Sequence, residues 1–274
     1  APRMIRLGCD IGGTFTDFLL HDAATGAMET LKLPTTPDDP SRAILQGLET
    51  LAETRPGLAE TLASLIHGTT LVINAVIERK GAPTALLATA GFPDVLAMRR
   101  EIRYDIYDLR QEFPVPLVPR RWRLEAPGRI LADGSEETPL DEAAAAEAAR
   151  RAAAEGIESL AICFLHSYAN PEHDRRARAV AEAAAPGLDV SISSEVLPEI
   201  REFERTATTV VNAYVRPVVN RYLGRLIERL AAFGFARAPA LMLSGGGVVG
   251  VEAARRAPVR LAESGPVGGA IAAA

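Results

Sequence analysis

Cysteine is nearly absent: Cys9 and Cys163 are the only two in 274 residues. Both lie in apolar runs, LGCDI and LAICFL, where a buried thiol is the expected state, so neither a disulfide nor a cysteine-held metal is predicted. No apolar run reaches the roughly 20 residues that span a bilayer. The opening APRMIRLGCDI leads straight into a strand pattern rather than a cleavable signal, which predicts a cytoplasmic protein with no membrane attachment. Positive charge is also short. Lysine occurs only at 32 and 80, the formal net charge is -5 and the isoelectric point is near 5.5, so nothing in the charge favours nucleic acid or an anionic membrane. Arginine and alanine richness reads as codon bias and carries no functional weight. What remains is ordinary globular material, 48% hydrophobic and 24% charged, long enough to bury a substantial core.

Along the chain, strand-like and helix-like segments alternate. MIRLGCDI and TDFLLHD read as strands apolar on both faces, joined at Gly12-Gly13 by a hairpin turn, with ETLKLPT as a third strand. SRAILQGLETLAE spaces Ile44, Leu45, Leu48 and Leu51 along one helical stripe, with Ser41 as its cap. SLIHGTT is a strand running into the helix LVINAVIERKG, closed by Gly81, and TALLATAGF and GFPDVLAMRRE repeat the pattern. Prolines crowd the irregular text after Tyr104. RWRLEAPGRILADGSEE resembles a hairpin, and an alanine-rich helix follows from Leu140 to Glu155. After SLAICFLHSY come a helix started by Asn170-Pro171, the strand DVSISSEVL and a long helix from Pro198 to Phe233 that Pro217 kinks or divides. ALMLSGGG is a strand ending in glycines, and VRLAESGPVGGAIAAA runs from a strand-like piece into a small-residue helix. Such alternation predicts an α/β fold with a largely parallel sheet opened by an antiparallel hairpin.

CDIGGTFTDF sets two carboxylates and two threonines around a glycine pair. Gly12 and Gly13 let backbone amides approach a bound group with no Cβ in the way, and Thr14 and Thr16 add hydroxyl donors. Phosphate oxygens suit them. Asp10 and Asp17 beside an anion make sense with a divalent cation between, and Mg²⁺ reconciles the charges. The plain alternative is a turn whose polar residues satisfy local backbone groups.

The phrases DIGGTFTD, HGTTLVINAVIERKGA, GFPDVLAMRR, ICFLHSYANPEHD, SSEVLPEIREFERTATTVVNAYVRP and ESGPVGG, in this order, resemble the N-terminal part of the hydantoinase A / 5-oxoprolinase family. That family also includes ATP-dependent acetone and acetophenone carboxylases, and the glycine hairpin is similar to the first phosphate loop of actin-like ATPases. The resemblance implies an actin-like ATPase (ribonuclease-H-like) α/β lobe with a mixed sheet and an inserted α/β subdomain. Residues 1–100 would form the core with the phosphate hairpin, 101–240 the inserted subdomain with the long helix, and 241–274 the return to the core and the start of an inter-lobe helix. The family's second phosphate loop and adenosine-contacting segment are not found before Ala274, so the chain is expected to be one lobe of a larger ATP clamp, inactive alone.

Read with that resemblance, Asp10, Gly12, Gly13, Thr14, Thr16 and Asp17 would serve ATP and Mg²⁺, joined by Gly245 and Gly246 of the SGGG turn. His67, Thr69 and Thr70 sit at a strand-to-helix junction, where amides and the helix dipole favour an anion or polarised carbonyl. Either they act on the reacting group or one threonine caps the helix while His67 packs nearby. Thr14 and Asp17 are expected to open on the same side as His67. Asn74, one turn on, would face the same pocket. Glu195 is a further catalytic candidate, and Arg99, Tyr104 and Arg201 are substrate-binding candidates, although Arg99, Arg100, Arg103 and Tyr104 equally suit a surface cluster. Most charges of SSEVLPEIREFERTATT read as a solvated face. His166 and His173 lack the spacing of a zinc helix.

The expected function is ATP-dependent opening of a small cyclic amide through phosphorylation of its carbonyl oxygen, with a second subunit of hydantoinase B type or a fused equivalent. A ketone carboxylase is the alternative within the family. A nucleotide-regulated actin-like scaffold protein is the alternative of another class.

Overall fold

A computed structural model of the protein describes residues 4–36, 38–102 and 104–265. The helix expected beyond 265, and Arg103, lie outside these described residues. Strands β1 (Ile5–Ile11), β2 (Phe15–Asp22) and β3 (Met28–Pro34) are followed by α1 (Ser41–Thr54), a one-turn α2 (Leu58–Thr61), β4 (Leu62–Thr69) and α3 (Leu71–Ile77). Next come β5 (Thr84–Thr89), α4 (Val95–Met98), β6 (Arg123–Ala126), β7 (Arg129–Ile130), β8 (Glu136–Thr138), α5 (Glu142–Ala154) and β9 (Ser159–Cys163). They are followed by α6 (Glu172–Ala184), β10 (Asp189–Ile192), α7 (Ser193–Val196) and the 32-residue α8 (Glu202–Phe233). The described chain closes with β11 (Ala240–Met242), β12 (Val248–Gly250), α9 (Val251–Arg256) and a 3₁₀ turn at Pro258–Leu261.

Two compact units result, one of residues 1–80 with 218–274 and one of residues 81–217. The boundaries expected near 100 and 240 therefore fall at 80 and 217. The reason for the first is that β5 pairs with β6 and β9, which commits residues 84–89 to the inserted unit. The second falls at Pro217, through which α8 runs as one helix rather than two.

The first unit holds a six-stranded sheet in the order β12-β11-β4-β1-β2-β3. β1, β2 and β3 form an antiparallel meander, while β4 and β11 run parallel to β1. β1 and β2 alternate between buried and accessible positions, which corrects the two-sided burial read from their composition. Ile5, Leu7, Cys9 and Ile11 share one buried face with Phe18 and Leu20. On the other face Phe15, Leu19 and Ile66 remain exposed. Helix α1 covers the buried face, and Gly47 lets it do so, because a Cβ there would overlap the Phe18 ring. The start of α1 is held by Asp39 rather than Ser41: the Asp39 carboxylate accepts from the Ser41 N–H at 3.2 Å and hydroxyl at 2.6 Å, and pairs with Arg229 at 2.7 Å.

Gly81 does not close α3. The helix ends at Ile77, Arg79 takes the left-handed conformation (φ 56°), and the Lys80 N–H returns to the Ala75 carbonyl. Gly81 is instead required by Tyr214, whose ring occupies the space a Cβ would need. The VRLAESG piece is also not a strand but a 3₁₀ turn.

In the second unit β10, β9, β5 and β6 form an all-parallel sheet. TALLAT and SLAIC are buried at every position, the pattern of strands covered on both faces. The hairpin expected across 121–137 is confined to β7 and β8, because β6 is taken by the parallel sheet. Small residues of α5 (Ala145, Ala148, Ala149 and Ala152) pack into this core, and Asp141 caps the helix through the Ala144 N–H. GFPDVLAMRRE yields only the four-residue α4.

These packing differences predict opposite effects of one substitution type. Gly47→Ala should lower unfolding free energy by about 1–3 kcal/mol through overpacking against Phe18. Gly224→Ala, inside α8 with open space around it, should raise it by about 0.5–1 kcal/mol through helix propensity. Urea titrations of the two variants beside the parent check both signs.

Candidate functional site

Parallel strands that share an edge deliver their following loops to the same place, and in α/β folds that edge is where ligands bind. Here β1, β4 and β11 end together and deliver the Gly12-Gly13 turn, the Thr69-Thr70 junction and the Ser244–Gly247 turn. The Gly12 N–H donates to the Phe15 carbonyl at 2.9 Å, closing the hairpin, while Gly13 and Thr14 are exposed. Thr35 braces the turn by donating its hydroxyl to the Gly12 carbonyl at 3.0 Å and its N–H to the Thr14 carbonyl at 2.9 Å.

Asp10 and Asp17 lie directly opposite each other on β1 and β2 and share the face away from α1. One oxygen of Asp10, Oδ1, is buried with no hydrogen-bond partner among the described residues. Burial first, and then the charge of Asp17, raise the Asp10 carboxyl above its ordinary value. Glycine neighbours make room for it: a Cβ on Gly68 would stand 2.7 Å from Asp10 Oδ1, and one on Gly265 3.3 Å. Asp17 pairs with Lys32 at 3.0 Å in an exposed contact of small energetic weight. An 850 Å³ cleft on this face is lined by both aspartates, Lys32, Gly68 and Ser264, with Leu19, Ile66 and other apolar groups as its floor.

The Thr69 hydroxyl accepts from the Leu71 N–H at 3.1 Å, so this threonine satisfies the start of α3. Thr70 donates its hydroxyl to the Ile11 carbonyl at 3.2 Å and accepts from Asn74 Nδ2 at 3.0 Å. Asn74 reaches the hairpin, its Nδ2 lying 3.9 Å from where a Gly13 Cβ would be. Asp10, Gly12, Gly13, Thr14, Asp17, Thr70 and Asn74 are therefore gathered around one strand edge. Gly245 and Gly246 turn the chain from β11 into the antiparallel β12 at the same edge.

Two of the expected residues in this unit, His67 and Thr16, stand elsewhere. His67 pairs with Cys9 across the β1–β4 ladder and so lies on the opposite face from Asp10 and Asp17, contrary to the expectation that they open together. It is completely buried, with Nε2 2.6 Å from the Tyr222 hydroxyl and Nδ1 3.5 Å from Cys9 Sγ. Burial pushes its pKa down to about 4, its bond to the Cys9 backbone offsetting only part of that, and a neutral imidazole with both nitrogens engaged has no access to a substrate. Thr16 is buried on that same face, bonded to the Thr35 hydroxyl at 3.0 Å. Cys9 is a free buried thiol whose pKa burial raises.

In the second unit Glu195 is forked by Arg178 at 2.9 and 2.7 Å, which lowers its pKa and leaves it a structural ion pair. Tyr104 is exposed, contacts the Phe113 ring and is not among the residues that line the nearest cleft. Arg99 and Arg201 do line that cleft together. Arg205, grouped by sequence with a solvated face, is 1% exposed and donates to the Glu199 and Phe164 carbonyls. Cys163 is a second free buried thiol, with its Sγ 3.0 Å from the Thr206 hydroxyl. His173 is buried against Glu136 at 2.7 Å and His166 bonds the Ile130 carbonyl at 2.8 Å.

Sequence reasoning passed over Gly68, Thr35 and Ser264. Ser264 accepts from the Thr69 N–H at 3.2 Å and donates to the Thr69 carbonyl at 3.0 Å, tying the chain after the 3₁₀ turn to the end of β4. Its place in the phrase ESGPVGG was the available signal.

Residues 6–185 match the hydantoinase/oxoprolinase N-terminal region and residues 205–274 the hydantoinase/oxoprolinase family. The chain belongs to the hydantoinase/oxoprolinase family. This family member is 40% identical over 275 residues to the caprolactamase subunit alpha of Pseudomonas jessenii, covering 97% of this chain and 39% of that protein. Its fold matches the crystal structure of the ATP-dependent caprolactamase from Pseudomonas jessenii with a TM-score of 0.85 at 38% identity, over 96% of this chain and 39% of the other. It matches nucleotide-free acetone carboxylase with a TM-score of 0.87 at 29% identity, over 99% and 40%. The fold is the mixed-sheet α/β type of the actin-like ATPases. The hydantoinase/oxoprolinase chain spans about 39% of the length of the curated relatives it matches first. Among its described residues no helix is long and apolar enough to cross a membrane.

The buried histidine gives a pH test. An unfolded chain protonates His67 near 6.5, while the folded one keeps it neutral down to about 4. The unfolded state therefore binds more protons in that window, and His67 should reduce stability by about 3 kcal/mol as pH falls from 6.5 to 4. Urea titrations at pH 7 and pH 4.5 should show that His67→Gln flattens this part of the slope. Tyr222→Phe should cost about 1–3 kcal/mol at pH 7 by stranding the imidazole Nε2.

Proposed function

We propose that this chain is the phosphate-binding first lobe of an ATP-dependent cyclic-amide hydrolase of the cytosol, working with a second subunit of hydantoinase B type or a fused equivalent. The observation that carries the reading is the Asp10 carboxylate, opposite Asp17 in the β1–β2 ladder, with one oxygen buried beside Gly68 and unpartnered among the described residues, next to the Gly12-Gly13 turn. Two carboxylates in a space kept open by Gly68 are the donors a hard divalent cation prefers, so the residues present fit Mg²⁺. Bound ATP with Mg²⁺ would supply the phosphoryl group that turns a lactam carbonyl oxygen into an activated centre for ring opening.

The chain's own groups do the positioning. Gly12 and Gly13 bring main chain close to phosphate oxygens, and Thr14 adds a hydroxyl from the exposed tip of the turn. Asp10 and Asp17 would hold the cation, directly or through water. Lys32, beside Asp17, offsets negative charge at the rim. Thr70 and Asn74 keep the turn in register with α3, and Gly245 and Gly246 border the same edge. The similarity to acetone carboxylase supports a second reading, in which the same lobe activates a ketone for carboxylation.

ADP release by the full-length protein with its partner subunit separates the two readings. Stimulation by 5-oxoproline, hydantoin or caprolactam without bicarbonate is the expected result, and stimulation only by ketones with bicarbonate selects the carboxylase. Asp10→Asn should lower substrate-dependent turnover by about 10²–10³-fold, the scale of losing one preorganised electrostatic group. Turnover unaffected by Asp10→Asn, or nucleotide-dependent assembly with no small-molecule turnover, would remove the proposal. The 274-residue chain alone should show little ATP hydrolysis.

A further inference from the structure

The unit formed by residues 81–217 has a cleft of its own, about 630 Å³, within the range of small-molecule sites. Arg99, Arg100, Arg129 and Arg201 line it against only two carboxylates, Glu202 and Glu204, in a protein whose overall charge is negative. These guanidiniums are not equivalent. Arg100 is paired with Glu204, and Arg99 donates to the Pro114 carbonyl and lies over the Phe113 ring. The side chains of Arg129 and Arg201 make no hydrogen bond or ion pair among the described residues, and the guanidinium carbon of Arg129 lies over the Phe92 ring, 5.2 Å from its centre. A cation held over a ring face spends no N–H donor on that contact.

The backbone adds a second, independent observation. Among the described residues only Arg79, Arg99, Glu101, His166 and Arg201 are non-glycine residues with positive φ. Arg99, His166 and Arg201 all line this cleft. Arg79 follows the end of α3 and Arg99 caps the end of α4, whereas His166 and Arg201 close no helix, and strained conformations of this kind collect at ligand sites. The imidazole of His166 is also oriented. The Ile130 carbonyl can only accept, so Nδ1 carries a proton. Phe92, Val95, Met98 and Phe203 provide apolar walls, and Phe92 and Met98 are 40% and 56% exposed.

We propose that this cleft binds a small organic carboxylate, its anionic end received by Arg129 and Arg201 and its apolar body lying against Phe92 and Met98. A planar carboxylate matches the paired donors of a guanidinium. An inorganic phosphate would use the arginines but leave the apolar walls unfilled. This site goes beyond the phosphate-turn reading and does not depend on it.

Calorimetric titration of the 274-residue chain, without nucleotide, tests it with three acids, 5-oxoproline, benzoate and hexanoate. Each is compared with its neutral counterpart, pyrrolidin-2-one, benzamide and hexanamide. At least one acid should bind at least tenfold more tightly than its counterpart and more tightly than inorganic phosphate. Arg129→Gln and Arg201→Gln should each weaken that binding at least tenfold, while Arg121→Gln, an exposed arginine outside the cleft, leaves it unchanged. Arg201→Gly should weaken binding and yet raise the melting temperature by releasing the positive φ, a combination that a purely structural arginine would not give. Asp10→Asn should leave acid binding intact, so failure of the phosphate-turn reading would be seen separately. No preference for any acid over its neutral partner, phosphate binding as well as the best acid, or full affinity in both glutamine variants would overturn the assignment.

Discussion

The register between β1 and β4 is the constraint on which the first unit depends. Pairing Asp10 with Gly68 on one face and Cys9 with His67 on the other fixes two separate environments with one ladder. On one side a carboxylate stands where a neighbouring side chain would otherwise be, and the absence of that side chain at Gly68 is what makes the position tenable. On the other, an imidazole is sealed between a thiol and a phenol. A one-residue slip would exchange these faces and bury a carboxylate beneath the helices.

The two sheets solve different burial problems. In the first unit the alternation of β1 and β2 leaves one face accessible, and polar groups at the strand ends are thereby kept in reach of solvent. In the inserted unit continuous burial of β5 and β9 yields a rigid parallel core. Its buried polar residues are structural for the same reason. Arg205 spends its donors on backbone carbonyls, and the Asp174 carboxylate is held by the Phe164 and Ser194 N–H groups and the Ser193 hydroxyl. Arg205 is thus consumed by the fold, whereas Arg129 and Arg201 are left at the cleft.

The fold class, the opening meander, α5 and the long α8 were legible because each depends on local periodicity. The glycine hairpin and the facing aspartates were legible because residue type and spacing alone bring them together across a tight turn. His67 was not. It stands between the apolar Leu65-Ile66 and the polar Gly68-Thr69-Thr70, and only the pairing with β1 together with Tyr222, 155 residues away, reveals that it faces inward. Glu195 was misread for a similar reason, since Arg178 on α6 cannot be foreseen as its partner from the text around it. The boundaries near 100 and 240 missed because β5 resembles a continuation of the preceding strand-helix pattern, while its hydrogen bonds go to strands that come later. Helix ends and caps such as Asp39 and Arg79 depend on single backbone angles that composition does not reveal.

The passage of α8 through Pro217 also bears on how the polypeptide is made. The first unit is interrupted by the whole of residues 81–217, so its sheet lacks β11, and its histidine lacks Tyr222, until the ribosome has delivered chain well past the insertion. Joining ends across so long an interruption carries an entropic cost on the order of 4 kcal/mol in a flexible chain. An insertion that has already condensed holds its own two ends in fixed positions and removes most of that cost, which favours an order of assembly in which the later-starting unit matures before the earlier one.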